Sequence, residues 1–237
     1  MIEISGLRKR YGALQVLDGL DLVIAPGRVT AVVGPNAAGK TTLIKSILGL
    51  TRPDSGSIIV DGREIDDVGQ YRAQIGYMPQ IARYPDNLTA ADLFAMMSDL
   101  RGDAVPQDEE LVDSLGLRSQ LGKPLRVLSG GTRQKVNAAL AFLFSPSVLF
   151  LDEPTAGLDP ISSRVVKDKI AKERGRNRTF VLTSHVMSEL EELADDIAFL
   201  IEGRIRFAGS IHDLKKMTRQ LSLERAIAHV LETGEAA

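Results

Sequence analysis

The sequence predicts an α/β fold in which a mainly parallel central sheet carries an N-terminal antiparallel β-layer and an inserted helical subdomain. Three observations lead there. Short apolar, β-branched runs at residues 30–33, 148–151 and 180–182 have the composition of strands covered on both faces. The opening third alternates apolar with other residues, as at Leu20, Leu22 and Ile24, which is the pattern of strands with one solvent face. From about Ile81 to Ser145 the apolar residues fall instead at helical spacing.

Taken in order, Ile2 and Ile4, then Leu20 to Ile24, then residues 58–60 turning at Asp61-Gly62 make the antiparallel layer. Residues 30–33 end at Gly34, and Lys40 opens a helix with Leu43, Ile44, Ile47 and Leu48 on one face, so the chain reads strand, glycine loop, helix. The helical stretch places Leu93, Met96, Met97 and Leu100 on one face, then Leu111, Val112 and Leu115, then Val136, Ala139, Leu140 and Leu143. Residues 148–151 and 180–182 return to the central sheet. Residues 197–201, a turn at Glu202-Gly203, and Ile205 with Phe207 form a closing hairpin, before a final helix with Leu223, Ala226, Ile227 and Val230 on one side. The expected organisation is one domain: residues 1–80 and 146–209 as the core, 81–145 as the helical subdomain, and 210–237 as a helical tail.

With 237 residues, 44% of them hydrophobic, the chain can bury a sizeable core. Its 29 basic and 31 acidic residues give a formal charge of −2, which predicts no nucleic-acid partner. Cysteine is absent, so neither a disulfide framework nor a thiolate metal site is available. The start, Met1-Ile2-Glu3-Ile4, lacks the pattern of a secretory signal, and the longest apolar stretch, near Ala138 to Phe144, is cut by Ser145 and Pro146. A cytoplasmic protein is expected, with any membrane role borrowed from a partner.

Gly34-Pro35-Asn36-Ala37-Ala38-Gly39-Lys40-Thr41 matches G-x-x-x-x-G-K-[ST], followed by Thr42, and it lies between a predicted strand and a predicted helix. Backbone amides of such a loop and of the helix N-terminus favour a phosphate chain, because unpaired N–H groups and the helix dipole both attract negative charge. Lys40 adds a point charge, and Thr41 offers a hydroxyl to Mg²⁺, a cation that prefers oxygen ligands. In this context the full pattern outweighs an ordinary glycine turn and indicates a P-loop NTPase core. It says only that a nucleoside triphosphate binds.

The run at 148–151 ends in Asp152-Glu153-Pro154, delivering two carboxylates to the carboxyl edge of the sheet. Asp152 is suited to the Mg²⁺ shell, and Glu153 to orienting or deprotonating the attacking water. Between loop and acid pair lies Leu128-Ser129-Gly130-Gly131-Thr132 at the start of a helix. Here the chain resembles the ATP-binding cassette family, whose signature usually reads LSGGQ. The resemblance extends in the family's order over nearly the whole chain. Tyr11 matches the aromatic that stacks on adenine, Gln80 the Q-loop glutamine near the metal, Asp159 the D-loop of the dimer contact, and His185 the switch histidine that contacts the γ-phosphate.

This resemblance implies a Mg²⁺-dependent ATPase that powers transport through a separate transmembrane permease subunit. It also implies a second ATP-binding domain, most simply a homodimer, with Ser129, Gly130 and Gly131 of one copy closing over ATP held by the other. The permease would touch Gln80 and the region from Ile81 to about Leu125, holding the chain at the inner face of the membrane. The compact cassette resembles those of bacterial exporters and, more loosely, the ATPase of the transporter supporting copper-site maturation of nitrous oxide reductase. Two positions depart from the family: Ala37, where glycine is usual and where a Cβ strains the loop only if φ is positive, and Thr132 in place of glutamine. The competing readings are a regulatory module that clamps ATP without efficient hydrolysis and a soluble cassette ATPase with no transport role.

Overall fold

The computed structural model describes residues 1–65, 69–102 and 105–233. The chain forms two compact units, the first made of residues 1–72 and 179–237 and the second of residues 73–178.

In the first unit, β1 (Ile2–Tyr11) and β2 (Leu14–Ile24) pair antiparallel with Ile2 opposite Ile24 and Ile4 opposite Leu22. On its other edge β1 pairs with β4 (Ser55–Val60), Ile4 facing Ile58, and β5 (Arg63–Glu64) follows after the Asp61-Gly62 turn. Ile2, Ile4, Leu22, Ile24, Ile58 and Val60 are all buried, so the period of two predicted from sequence selects one covered face. β3 (Val29–Val33) is flanked by parallel partners β8 (Thr179–Thr183) and β9 (Asp196–Ile201), with Ala31 opposite Leu182 on one side and Ile197 on the other. β3 and β8 are buried along their whole length, as strands covered on both faces must be. β10 (Arg204–Ser210) returns antiparallel on β9, completing the expected hairpin.

Helix α1 (Lys40–Ile47) buries Leu43, Ile44 and Ile47. Sequence spacing suggested one helix at the end of the chain; there are two, α7 (Ile211–Thr218) and α8 (Leu223–Thr233), separated where Arg219 takes a left-handed conformation with φ 55°. Helix α6 (Met187–Leu193) joins them: Glu191 accepts from Lys215 Nζ at 2.5 Å and from the Leu223 amide at 3.2 Å. The final residues of the expected tail, 234–237, lie outside the described residues.

In the second unit, β6 (Ile75–Met78) pairs parallel with β7 (Val148–Asp152), Met78 opposite Leu151. Among the described residues four α-helices accompany them. α2 (Ala90–Arg101) starts with a reciprocal Thr89–Asp92 capping box, which satisfies two orphan amides. α3 (Glu110–Ser114) is short, α4 (Gly130–Phe142) is capped by Ser129, and α5 (Pro160–Arg174) is capped by Asp159 with Pro160 in its first turn. The apolar face expected on α2 is only partly covered. Leu93 is buried, but Met96 is 50% and Leu100 78% exposed. With Tyr77, Met97 and Phe144 they line an open groove of about 270 Å³.

α5 is held by charge. Lys169, 3% exposed, donates to Asp108 at 2.6 Å and Glu110 at 2.8 Å and pairs with Glu173 at 3.2 Å. Among the described residues these three acids are the one group close enough together to hold a cation, and the lysine ammonium already stands among them. They are an ion-pair network around buried Lys169 and Glu173, not the Mg²⁺ site.

Candidate functional site

The expected site residues fall into two sets, one in each unit. Tyr11, the loop from Gly34 to Thr42, and His185 belong to the first; Gln80, Ser129, Gly130, Gly131, Asp152, Glu153 and Asp159 belong to the second.

In the first unit the loop leaves the buried end of β3 and turns through a hydrogen bond from the Ala38 amide to the Pro35 carbonyl at 3.2 Å. Gly34 has no room for a side chain: a Cβ there would collide with the Leu200 carbonyl oxygen. Gly39 has φ 107°, and its Cβ would lie 2.8 Å from the Val16 carbonyl oxygen. Ala37 has φ 63°, so the condition under which its Cβ strains the loop is met. Lys40 opens α1 and its Nζ donates to the Gly34 and Pro35 carbonyls at 2.6 and 3.0 Å, curling the ammonium over the loop. The first turn of α1 contains no acidic residue of its own to offset the positive end of its dipole. Asn36 and Thr41 are exposed, Thr42 is half-buried and Ala38 is buried.

Because β3 and β8 run parallel, the segments after them leave the same sheet edge, which puts Ser184 and His185 on the edge that carries the loop. His185 is exposed, and Ser184 Oγ accepts from the Val186 amide at 3.0 Å, shaping the turn that presents it. Tyr11 ends β1 with half its surface exposed, and Lys9 Nζ stands over its ring 5.5 Å from the centre.

In the second unit the same parallel geometry aligns the ends of β6 and β7, bringing the Gln80 loop and the Asp152-Glu153 pair to one edge. Asp152, 9% exposed, ends β7. Tyr77 lies near enough that burial first, and the Asp152 charge second, push its phenol above the usual range. Glu153 follows in the left-handed region at φ 55°, a strained conformation for a non-glycine residue. Gln80 is exposed beyond Pro79.

Helix α4 carries Ser129, Gly130 and Gly131 at its N-terminus. Ser129 Oγ accepts from the Thr132 amide at 3.1 Å and lies 2.9 Å from Thr132 Oγ1. A Cβ on Gly131 would stand 3.1 Å from the Gly157 carbonyl oxygen, so the signature turn passes close to the segment after Glu153. Gln134 Nε2 reaches the Glu153 carbonyl at 3.5 Å and Lys135 pairs with Asp159 at 3.0 Å. The Ser162 amide and hydroxyl, then Lys135, hold the Asp159 carboxyl well below the usual carboxylate range.

Sequence reasoning did not single out Lys135, Asn137 or the Thr132 hydroxyl contact. Asn137 did carry a signal, as a polar residue between apolar ones on the inward face of α4, where it is 1% exposed.

The family model described as ABC transporter matches residues 17–156, more than half of the chain. The chain belongs to the ABC transporter family. Its cassette is 37% identical over 222 residues to the daunorubicin resistance ATP-binding protein of Streptomyces coeruleorubidus, covering 92% of this chain and 70% of that protein. It is 35% identical to the lantibiotic transport ATP-binding protein of Streptococcus pyogenes, covering 86% of this chain and 89% of that one. A solved structure of the ATP-binding subunit of an ABC transporter superposes with a TM-score of 0.90 at 27% identity, covering 98% of this chain and 99% of the other. This cassette is therefore the ATP-binding and ATP-hydrolysing subunit of an ABC transporter. Among the described residues no helix is long and apolar enough to cross a membrane.

Proposed function

We propose that this cassette powers an exporter by the ATP-driven closure of two copies, transmitted to a transmembrane permease subunit. The observation that carries the reading is the phosphate loop. A buried strand delivers it, close backbone approach shapes it at Gly34 and Gly39, and the first turn of the following helix holds no acid against an anion.

The roles follow from side-chain chemistry. Lys40 and the amides of residues 34–42 bind the phosphates, and Tyr11 stacks on the base. Thr41, Gln80 and Asp152 offer the oxygen donors that suit Mg²⁺, which, when bound, neutralises charge on the phosphate oxygens. Glu153 orients and deprotonates the attacking water, and His185 donates to the γ-phosphate. Ser129, Gly130 and Gly131 serve the nucleotide held by the second copy, and Asp159 lies at the contact between copies.

The groove under Met96, Met97 and Leu100 suits a short apolar helix of the permease, because such a segment would cover apolar surface that α2 leaves open. That attachment places the cassette in the cytoplasm, peripheral to the inner face of the membrane. Export as the direction is supported by relatives named for drug resistance, lantibiotic transport and Nod factor export. The looser resemblance to the ATPase for copper-site maturation has no residue behind it, since the chain has no cysteine and only three histidines.

Mg²⁺-dependent ATP hydrolysis by the purified chain, measured beside Glu153→Gln, tests the reading. Loss of turnover by at least about a hundredfold in the variant, with an ATP-dependent dimer seen by light scattering, is the expected result. ATP binding with neither turnover nor dimer would favour a regulatory module instead.

A further inference from the structure

We infer that Thr132 is a positioning residue that turns Ser129 into an obligate hydrogen-bond donor toward the nucleotide; this rests on the ATPase reading of the signature helix given above. Thr132 stands where the resemblance expects glutamine, and its side chain does something a glutamine at that place has no hydroxyl to do. Ser129 Oγ has two lone pairs and one proton. The Thr132 amide takes one lone pair at 3.1 Å, and Thr132 Oγ1 lies 2.9 Å from the same oxygen.

Two proton arrangements satisfy that second contact. If Ser129 donates to Thr132, its proton is spent inside the turn. If Thr132 donates to Ser129, both lone pairs are filled and the only capacity left on Ser129 is its O–H. A phosphate oxygen accepts and never donates, so an anion at the N-terminus of α4 selects the second arrangement. Ser129 and Gly130 are exposed and Gly131 and Thr132 half-buried, so the hydroxyl pair is reachable from solvent while the helix beneath it is fixed. With the anion in place, Thr132 thus supplies the proton that fills the second Ser129 lone pair and leaves the Ser129 proton for the phosphate.

The experiment is steady-state MgATP hydrolysis by the full chain for wild type, Thr132→Val, Thr132→Ser, Ser129→Ala and the double variant Ser129→Ala/Thr132→Val. Valine keeps the shape and removes only the hydroxyl, and the cap from the Thr132 amide to Ser129 survives. Turnover is expected to fall about tenfold in Thr132→Val, the size of one net hydrogen bond, and to be held by Thr132→Ser. In the Ser129→Ala background the valine substitution should add nothing, since Thr132 acts through Ser129. Wild-type turnover in Thr132→Val beside a slow Ser129→Ala overturns the positioning role and leaves the ATPase reading standing. Additive losses in the double variant overturn it too, because Thr132 would then act independently. Absence of MgATP hydrolysis by wild type itself would overturn the reading on which the inference rests. Unfolding midpoints of Thr132→Val and Thr132→Ser, expected to match wild type because the Thr132 amide still caps on Ser129, exclude a folding defect as the source of slow turnover, whereas Ser129→Ala loses that cap and should unfold earlier.

Discussion

Asn137 Nδ2 donates to the Pro79 carbonyl at 2.9 Å, one residue before Gln80. The other end of the same amide accepts from the Tyr84 hydroxyl at 3.1 Å, so a single buried side chain on α4 grips the Gln80 loop on both sides. Burial pushes the Tyr84 phenol up to about 12, which keeps it a donor at every working pH. Replacing Asn137 by leucine leaves the Pro79 carbonyl and the Tyr84 hydroxyl without these bonds, at an expected cost of about 2–4 kcal/mol, whereas Tyr84→Phe should cost about 1 kcal/mol. Urea denaturation of the two variants measures the difference. Equal costs would mean that the grip on Pro79 carries no weight.

Ala37 is exposed and left-handed, so packing does not obscure its backbone strain. Ala37→Gly relieves about 1 kcal/mol of strain and gives back a similar amount by loosening the unfolded chain, leaving stability within about 0.5 kcal/mol of wild type. Ala37→Val, with a branched Cβ at the same φ, should lose at least about 1 kcal/mol. A valine variant as stable as wild type in urea would show that the loop does not hold this conformation in solution.

Lys169 gives the chain an acid-sensitive limb. Hydrogen bonds from Lys169 and then Lys172 lower the Glu110 carboxyl from 4.5 to about 2. A depressed folded-state pKa means that the contribution is complete above about pH 4.5 and is lost as pH falls towards 2, because the unfolded chain takes up the proton first. Glu110→Gln should flatten that part of the stability profile. Lys169→Met removes the shared ammonium but leaves Glu110 with Lys172 and Glu173 with Arg176 and Arg178, so it should cost about 1–3 kcal/mol at neutral pH. Denaturation midpoints followed from pH 7 down to the acid limit report both.

The parts of the fold that were legible in the sequence are those whose burial is complete or strictly alternating. β3, β7 and β8 read as apolar runs because both faces are covered, and β1, β2 and β4 read as alternation because one face is. α5 escaped notice because its inward face includes Lys169 and Glu173, which sequence reasoning assigns to solvent until their partners Asp108 and Glu110 are known. Met96 and Leu100 show the opposite failure. Periodicity reports which side of a helix is apolar, not whether anything lies against it. At the site, the contiguous motifs around Lys40, Ser129 and Asp152 were readable because their chemistry lies in adjacent residues. The ties from Asn137 to Pro79 and from Lys135 to Asp159 join residues distant in sequence and emerge only from folding.

The crowding at Gly34 separates two pressures that a motif search merges. What forbids a side chain there is the Leu200 carbonyl of a neighbouring strand, part of the protein's own scaffold. A descendant of this cassette that had abandoned nucleotide turnover would still need that glycine in order to fold. Its persistence in such a chain would record architecture, and Lys40 and Glu153, whose side chains meet no such backbone collision, would be the positions where loss of function leaves its first mark.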